Sequence, residues 1–210
     1  MRLDMLAEGL AGNLPDVAVT GFAIDNRKVA PGCVFGAFEG ARVNGEDFIP
    51  QAVAAGAVAV VARPEAKVEG AVHIADANPR RLFAQMAARF FAPFPDVCVA
   101  VTGTNGKTST VELTRQLWRA LGHKSASIGT LGVTTSVDQV HTGLTTPDIV
   151  TFLSNMAGLK KEGITPAAFE AAKEELIRHG VTFHPATPAE RALRHVFDMV
   201  WFTDPSGNRH

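Results

Sequence analysis

Apolar residues in this chain fall into short runs cut by glycine, proline and polar clusters, and their spacing changes from one segment to the next. Residues 17–20, 21–24 and 33–38 read as strands and residues 48–55 as a helix. Val58-Ala59-Val60-Val61 is a continuous apolar run between Gly56 and Pro64, too short for a helix. Residues 76–91 carry Leu82, Phe83, Met86 and Phe90 on one helical face, and Pro93 and Pro95 then stop the helix at a domain boundary. A second unit opens with the strand Val97-Cys98-Val99-Ala100, followed by a helix over 111–121 closed by Gly122 and a strand over 125–128. This order begins a parallel sheet covered by helices. Helical spacing returns over 149–159 and again over 167–179, where Phe169, Ala172 and Leu176 share a face and Gly180 supplies the stop. Residues 181–183 and 197–202 are the last strand candidates.

Composition narrows the class. The 210 residues are 46% hydrophobic and 20% charged, which suits a folded globular chain of one large or two small domains. Twenty basic and 21 acidic residues are well mixed along the chain, so no broad basic surface for nucleic acid is expected. Asp4 and Glu8 interrupt the apolar start, and no segment reaches membrane-span length, so a cytoplasmic protein without membrane contact is expected. Cys33 and Cys98 form no close-spaced ligand pair and read as buried, inert thiols.

The chemistry concentrates in Gly103-Thr104-Asn105-Gly106-Lys107-Thr108-Ser109, directly after the strand at Val97. A strand feeding a glycine-rich turn that opens a helix aims backbone N–H groups and a helix N-terminus at one point, which suits a phosphate. The general pattern G-x-x-x-x-G-K-S/T fails, because Val101 stands five before Gly106; the loop is a shorter G-x-x-G-K-T form. Lys107 can neutralise β- and γ-phosphate charge, and Thr108 offers a hydroxyl to Mg²⁺. A surface turn with a solvated lysine is the plain alternative, and the flanking strand and helix speak against it.

The stretch VAVTGTNGKTSTVELTRQL resembles the ATP-binding loop of the Mur ligases, whose loop is shortened in the same way. Residues 21–62 resemble the N-terminal UDP-binding domain of the MurE-type members, and residues 128–148 resemble the segment leading to a threonine pair that contacts the muramoyl substrate. The resemblance covers roughly residues 1–160. It implies an enzyme of peptidoglycan precursor synthesis that phosphorylates the carboxylate of UDP-N-acetylmuramoyl-L-alanyl-D-glutamate with ATP and Mg²⁺, after which an amino acid amine attacks the acyl phosphate. By that resemblance Lys107 steadies the transferring phosphate and Thr108 holds Mg²⁺. Thr145 and Thr146 contact the sugar-peptide, while Asn26, Arg27 and the loop from Gly40 through Ala41, Arg42 and Asn44 to Gly45 face the UDP moiety. The family usually has Asp-Ser-Arg where this chain has Asp25-Asn26-Arg27, and asparagine can also hydrogen-bond a nucleotide. Read alone, Asp25 to Arg27 is equally a polar turn.

Past residue 160 the expected continuation is missing: a glutamate-serine-histidine region that holds metal, a carbamylated lysine and a third domain. Residues 167–210, ending FTDPSGNRH, instead resemble the end of a vicinal-oxygen-chelate module of the glyoxalase and extradiol dioxygenase type. One such piece cannot assemble that family's metal site, and the spacings of His179, His184, His195 and His210 fit no compact metal motif, so dioxygenase activity is not expected. The resulting expectation is an α/β chimera joined near 158–166. It has a small N-terminal α/β UDP-binding domain at 1–94, an incomplete P-loop parallel-sheet domain at 95–165 and an α+β tail at 166–210. A truncated sheet would expose an edge that the tail covers or through which copies associate. The alternatives are a non-enzymatic UDP-sugar or nucleotide-binding module and a recombined scaffold without ligand.

Overall fold

A computed structural model describes residues 1–40, 43–103, 105–135, 139–140, 147–171, 184–185 and 200–201. By its contacts the chain divides into two units, residues 1–171 and 172–210.

The first sheet is built from four short strands, β1 (Gly21–Ala23), β2 (Cys33–Gly36), β3 (Ala59–Ala62) and β4 (Val72–Ala75), all parallel and in chain order. Strands buried on both faces need no polar alternation, and β2 and β3 are buried at every position. Val34, Ala59 and Val61 join a core with Leu3 and Leu6 of helix α1 (Leu3–Ala7) and Leu82, Phe83 and Met86 of α3 (Pro79–Phe91). Phe35, Val60 and Ala62 alternate with them and pack with Ile49 and Ala52 of α2 (Ile49–Ala54). The pleat explains the division: neighbouring residues on one strand point to opposite faces. The expected face of α3 is the buried one, with Phe90 partly buried against the same core. Asn78 caps α3 by accepting from the Arg81 N–H, and Pro79 takes the first helical position.

The second sheet runs in the order β5 (Val97–Val101), β9 (Pro166–Glu170), β6 (Ala126–Gly129), β7 (Gly132–Thr134) and β8 (Gln139–Val140). The first three strands are parallel, and β7 and β8 continue antiparallel. Helices α4 (Lys107–Ala120) and α5 (Ile149–Lys161) belong to this part of the chain. The helix expected over 167–179 is corrected here: Pro166 to Glu170 form a strand between β5 and β6. Alanine favours a helix in isolation, but Ala167 and Ala168 are fully buried, and Ala167 packs with Met156 and Leu159 of α5. Tertiary burial overrides propensity here. The expected limit at 165/166 therefore falls at the start of a strand that belongs to the sheet, and the contact division comes after Ala171.

Cys33 is buried as expected, but Cys98 is exposed, because β5 lies first in the sheet order. Val97 beside it is exposed as well. Among the described residues no helix is long and apolar enough to cross a membrane. Within residues 172–210, β10 (His184–Pro185) and β11 (Val200–Trp201) form an antiparallel pair. The second of these lies in the segment expected as a strand at 197–202, while 181–183 and the helix beyond Ala171 lie outside the described residues.

Candidate functional site

In open parallel sheets, ligands sit outside the carboxyl ends of the strands. Of the residues expected to face UDP, Asn26 and Arg27 follow β1 and Gly40 and Asn44 follow β2 at that edge. Just past β1, Asp25 accepts from the Arg27 N–H at 3.0 Å and opens a 3₁₀ turn over Asn26–Lys28. The Arg27 guanidinium also donates to both Asp25 oxygens, at 2.9 and 2.7 Å, and holds that carboxyl down to about 2. Among the described residues the Asn26 side chain has no hydrogen-bond partner, so its amide is available to a ligand.

Past β2, the Gly40 N–H donates to the Val43 carbonyl at 3.0 Å, and Glu39 and Asn44 form a bridge across the loop. Asn44, expected to face UDP, spends its side-chain oxygen on the Glu46 N–H at 3.1 Å, capping the next turn. Ala41 and Arg42 lie outside the described residues. Arg63, which sequence reading passed over, grips this loop from the end of β3: it donates to Glu46 at 2.8 and 2.9 Å and to Glu39 at 3.1 Å. Arg80, in the first turn of α3, donates to the Glu39 carbonyl at 2.8 Å, with its guanidinium 5.0 Å above the Phe38 ring centre. Planar guanidinium groups suit such forked contacts. Thr145 and Thr146 lie outside the described residues, but Asp148 just after them caps α5 and stands 3.8 Å from Lys28 beside the Asn26 turn.

The expected phosphate loop follows β5 and leads into α4. Gly103 and Gly106 adopt φ of 148° and 77°, which side chains resist. Gly106 is the N-cap of α4 and supplies no capping side chain, so the N–H groups of the first turn stay open to an anion. Lys107 curls over its own loop and donates to the Gly103 carbonyl at 2.7 Å. Asn105 lies in the loop, and Thr108 and Ser109 lie in the first turn of α4; Thr104 lies outside the described residues.

Thr108 lines a cleft shared with Glu112, Ser127, Gly129, Leu131 and Glu170. Glu170 is the candidate residue of this cleft that sequence reading passed over. It ends β9, next to the strand carrying the phosphate loop, and is buried. Its carboxylate accepts from the Thr130 N–H at 2.9 Å and the Thr130 hydroxyl at 3.2 Å. A Cβ at Gly129 would overlap its Oε1, so the glycine makes room for it. P-loop enzymes hold Mg²⁺ with a loop hydroxyl and a carboxylate, the two donor types that Thr108 and Glu170 bring to this cleft. Hard oxygen donors of this kind fit the ion. The readable signal was the acid ending the run Pro166-Ala167-Ala168-Phe169-Glu170, which a helical reading of the run does not place at a strand end.

Comparisons with known proteins agree with this geometry. The model described as the Mur ligase family catalytic domain matches residues 18–92, and the Mur ligase middle domain matches residues 101–189. The second match crosses the junction expected near 158–166 and takes in β9. The UDP-N-acetylmuramoyl-L-alanyl-D-glutamate–2,6-diaminopimelate ligase of Zymomonas mobilis is 60% identical over 177 residues, covering 83% of this chain and 36% of that protein. The protein of the same name from Bradyrhizobium diazoefficiens is 48% identical over 179 residues, covering 84% and 37%. The chain thus spans little more than a third of the length of the curated relatives it matches. A solved structure of a ligase of that name matches with a TM-score of 0.72 at 25% identity, covering 85% of this chain and 37% of the other. A MurF ligase from Thermotoga maritima in complex with ADP shares the fold at a TM-score of 0.51 and 21% identity, covering 76% and 33%. Over residues 18–92 and 101–189 this chain belongs to the Mur ligases, with an N-terminal domain followed by middle-domain sequence.

Proposed function

We propose that the chain carries the UDP-substrate and ATP sites of a cytoplasmic ligase that adds an amino acid to UDP-N-acetylmuramoyl-L-alanyl-D-glutamate, the reaction for which its relatives are named. The observation that supports the nucleotide half is the shared cleft of Thr108 and Glu170 at the mouth of the Gly103–Ser109 loop. In this reading the open N–H groups of α4 and the Lys107 ammonium hold the β- and γ-phosphates. Thr108 and Glu170 would hold Mg²⁺, which when bound offsets charge on the phosphate oxygens. The substrate carboxylate attacks the γ-phosphorus and ADP leaves; an amine then attacks the carbonyl and phosphate leaves, forming the amide. Asn26, Arg27 and the 40–45 loop take the UDP end, and Thr145 and Thr146 the sugar-peptide. In this reading the incoming amino acid is 2,6-diaminopimelate, the one in the relatives' names. The Mur ligase middle-domain match runs through residue 189, so the junction expected near 158–166 and a vicinal-oxygen-chelate segment from 167 find no support.

Isothermal titration with Mg-ATP, and separately with the UDP-muramoyl-dipeptide, tests this. Lys107→Ala is expected to weaken Mg-ATP binding about 10- to 100-fold, the worth of a charge-assisted hydrogen bond, and to leave the UDP compound unaffected. Binding of the UDP compound alone would favour a non-enzymatic recognition module. Binding of neither would leave a scaffold.

A further inference from the structure

Beside Thr108 and Glu170, the same cleft holds a second carboxylate, Glu112, one helical turn beyond Thr108 on α4. Its oxygens are already engaged. Arg115 donates to both of them, with Nε to Oε2 at 2.9 Å; the Gln116 amide donates to Oε1 at 3.0 Å and the Ser127 hydroxyl to Oε2 at 3.1 Å. A carboxylate holding four donors is poorly placed to ligate a metal itself. Its partners instead tie three elements together. Arg115 is buried and reaches the Thr135 carbonyl beyond β7, and the Ser125 hydroxyl returns to the Arg115 carbonyl. Ser127 lies on β6, paired in register with Ala168 of β9, two residues before Glu170. The chain of contacts runs from the helix that carries Thr108 to the strand beside the one that carries Glu170.

Resting on the nucleotide site proposed above, we infer that Glu112 is a positioning residue: through Ser127 it fixes the first turns of α4 against the sheet and so sets Thr108 opposite Glu170 for Mg²⁺. Groups that orient metal ligands typically change metal affinity 10- to 100-fold when removed. Among the described residues no hydrogen bond joins the Glu112, Ser127 and Gln116 side chains to Gly103, Asn105, Gly106 or Lys107, so phosphate binding without metal is expected not to depend on them.

Titration of the full chain with ATP, once with Mg²⁺ and once with EDTA, separates the two effects. In Glu112→Gln and in Ser127→Ala, the gain in affinity from Mg²⁺ is expected to fall about tenfold, with the EDTA affinity held within about twofold. Ser127→Ala keeps the buried Arg115 pair intact and so serves if Glu112→Gln does not fold. A Mg²⁺ gain unchanged in either folded variant, or an equal loss in both arms, would overturn the inference while the proposed function stands. A wild-type chain that binds ATP in neither arm would overturn both.

Discussion

Asp25 and Glu112 are each held at about 2 by hydrogen bonds from an arginine three or fewer residues away. Their surroundings differ, and that decides their weight. The Arg27 side chain is 83% exposed, so its pair with Asp25 is screened by water and contributes little. The Arg115 side chain is 7% exposed, and protonating Glu112 would strand it among buried groups. A carboxylate lowered in the folded state contributes stability that is fully present above its ordinary value and lost as the pH falls through the folded value. For Glu112 that window runs from 4.5 down to about 2. Urea unfolding across this range is expected to show a steep acid loss in the wild type and a flatter one in Glu112→Gln. Asp25→Asn is expected to leave the wild-type curve nearly unchanged, and equal flattening by both substitutions would refute the distinction.

Among the elements, β9 separates what pattern reading reaches from what it misses. Strands β1, β2 and β3 were legible because valine, phenylalanine and isoleucine crowd into short runs between glycines and prolines, whereas β4 was passed over and the strand expected at 17–20 is only an isolated bridge at Ala18. Pro166-Ala167-Ala168-Phe169-Glu170 carries no β-branched residue and continues into Ala171-Ala172-Lys173-Glu174, so propensity points to a helix. Its small side chains make sense only between neighbours: β5 and β6 pair with it on either side, and Phe169 meets Phe152 of α5 at 4.8 Å between ring centres. Glu170 was missed for the same reason, since a helical reading gives it no strand end to occupy. Overpacking should expose the difference. Ala168→Leu is expected to cost about 1–3 kcal/mol. On α4, Leu113 and Leu117 are exposed, and Leu117→Gln is expected to change stability by less than about 0.5 kcal/mol. Denaturant midpoints at constant m-value measure both, and a neutral Ala168→Leu would contradict the burial of β9.

For the whole molecule, the sequence carried the succession of two sheets and the glycine-rich turn before α4 well, because each rests on local chemistry: glycines where φ is positive, a lysine and threonine at a helix start, prolines between the sheets. It carried the end of the second sheet poorly, because membership in a parallel sheet depends on partners far away in the chain. Val97 to Val101 and Pro166 to Glu170 pair in register across more than sixty residues, and among the described residues β9 is the only strand partner of β5. Shortened chains turn this into a measurement. A chain ending at Ala171 keeps β9, the Thr130–Glu170 bonds and the cleft beside Thr108, and is expected to unfold cooperatively and bind Mg-ATP as the full chain does. A chain ending at Thr165 loses the strand between β5 and β6, and with it the support of the phosphate loop; it is expected to lose the cooperative transition of the second domain and all Mg²⁺-dependent nucleotide binding. Circular dichroism during urea unfolding, with titration of both chains, decides the matter. If the shorter chain matched the longer one, β9 would not hold the sheet together and Glu170 would have no part in the site.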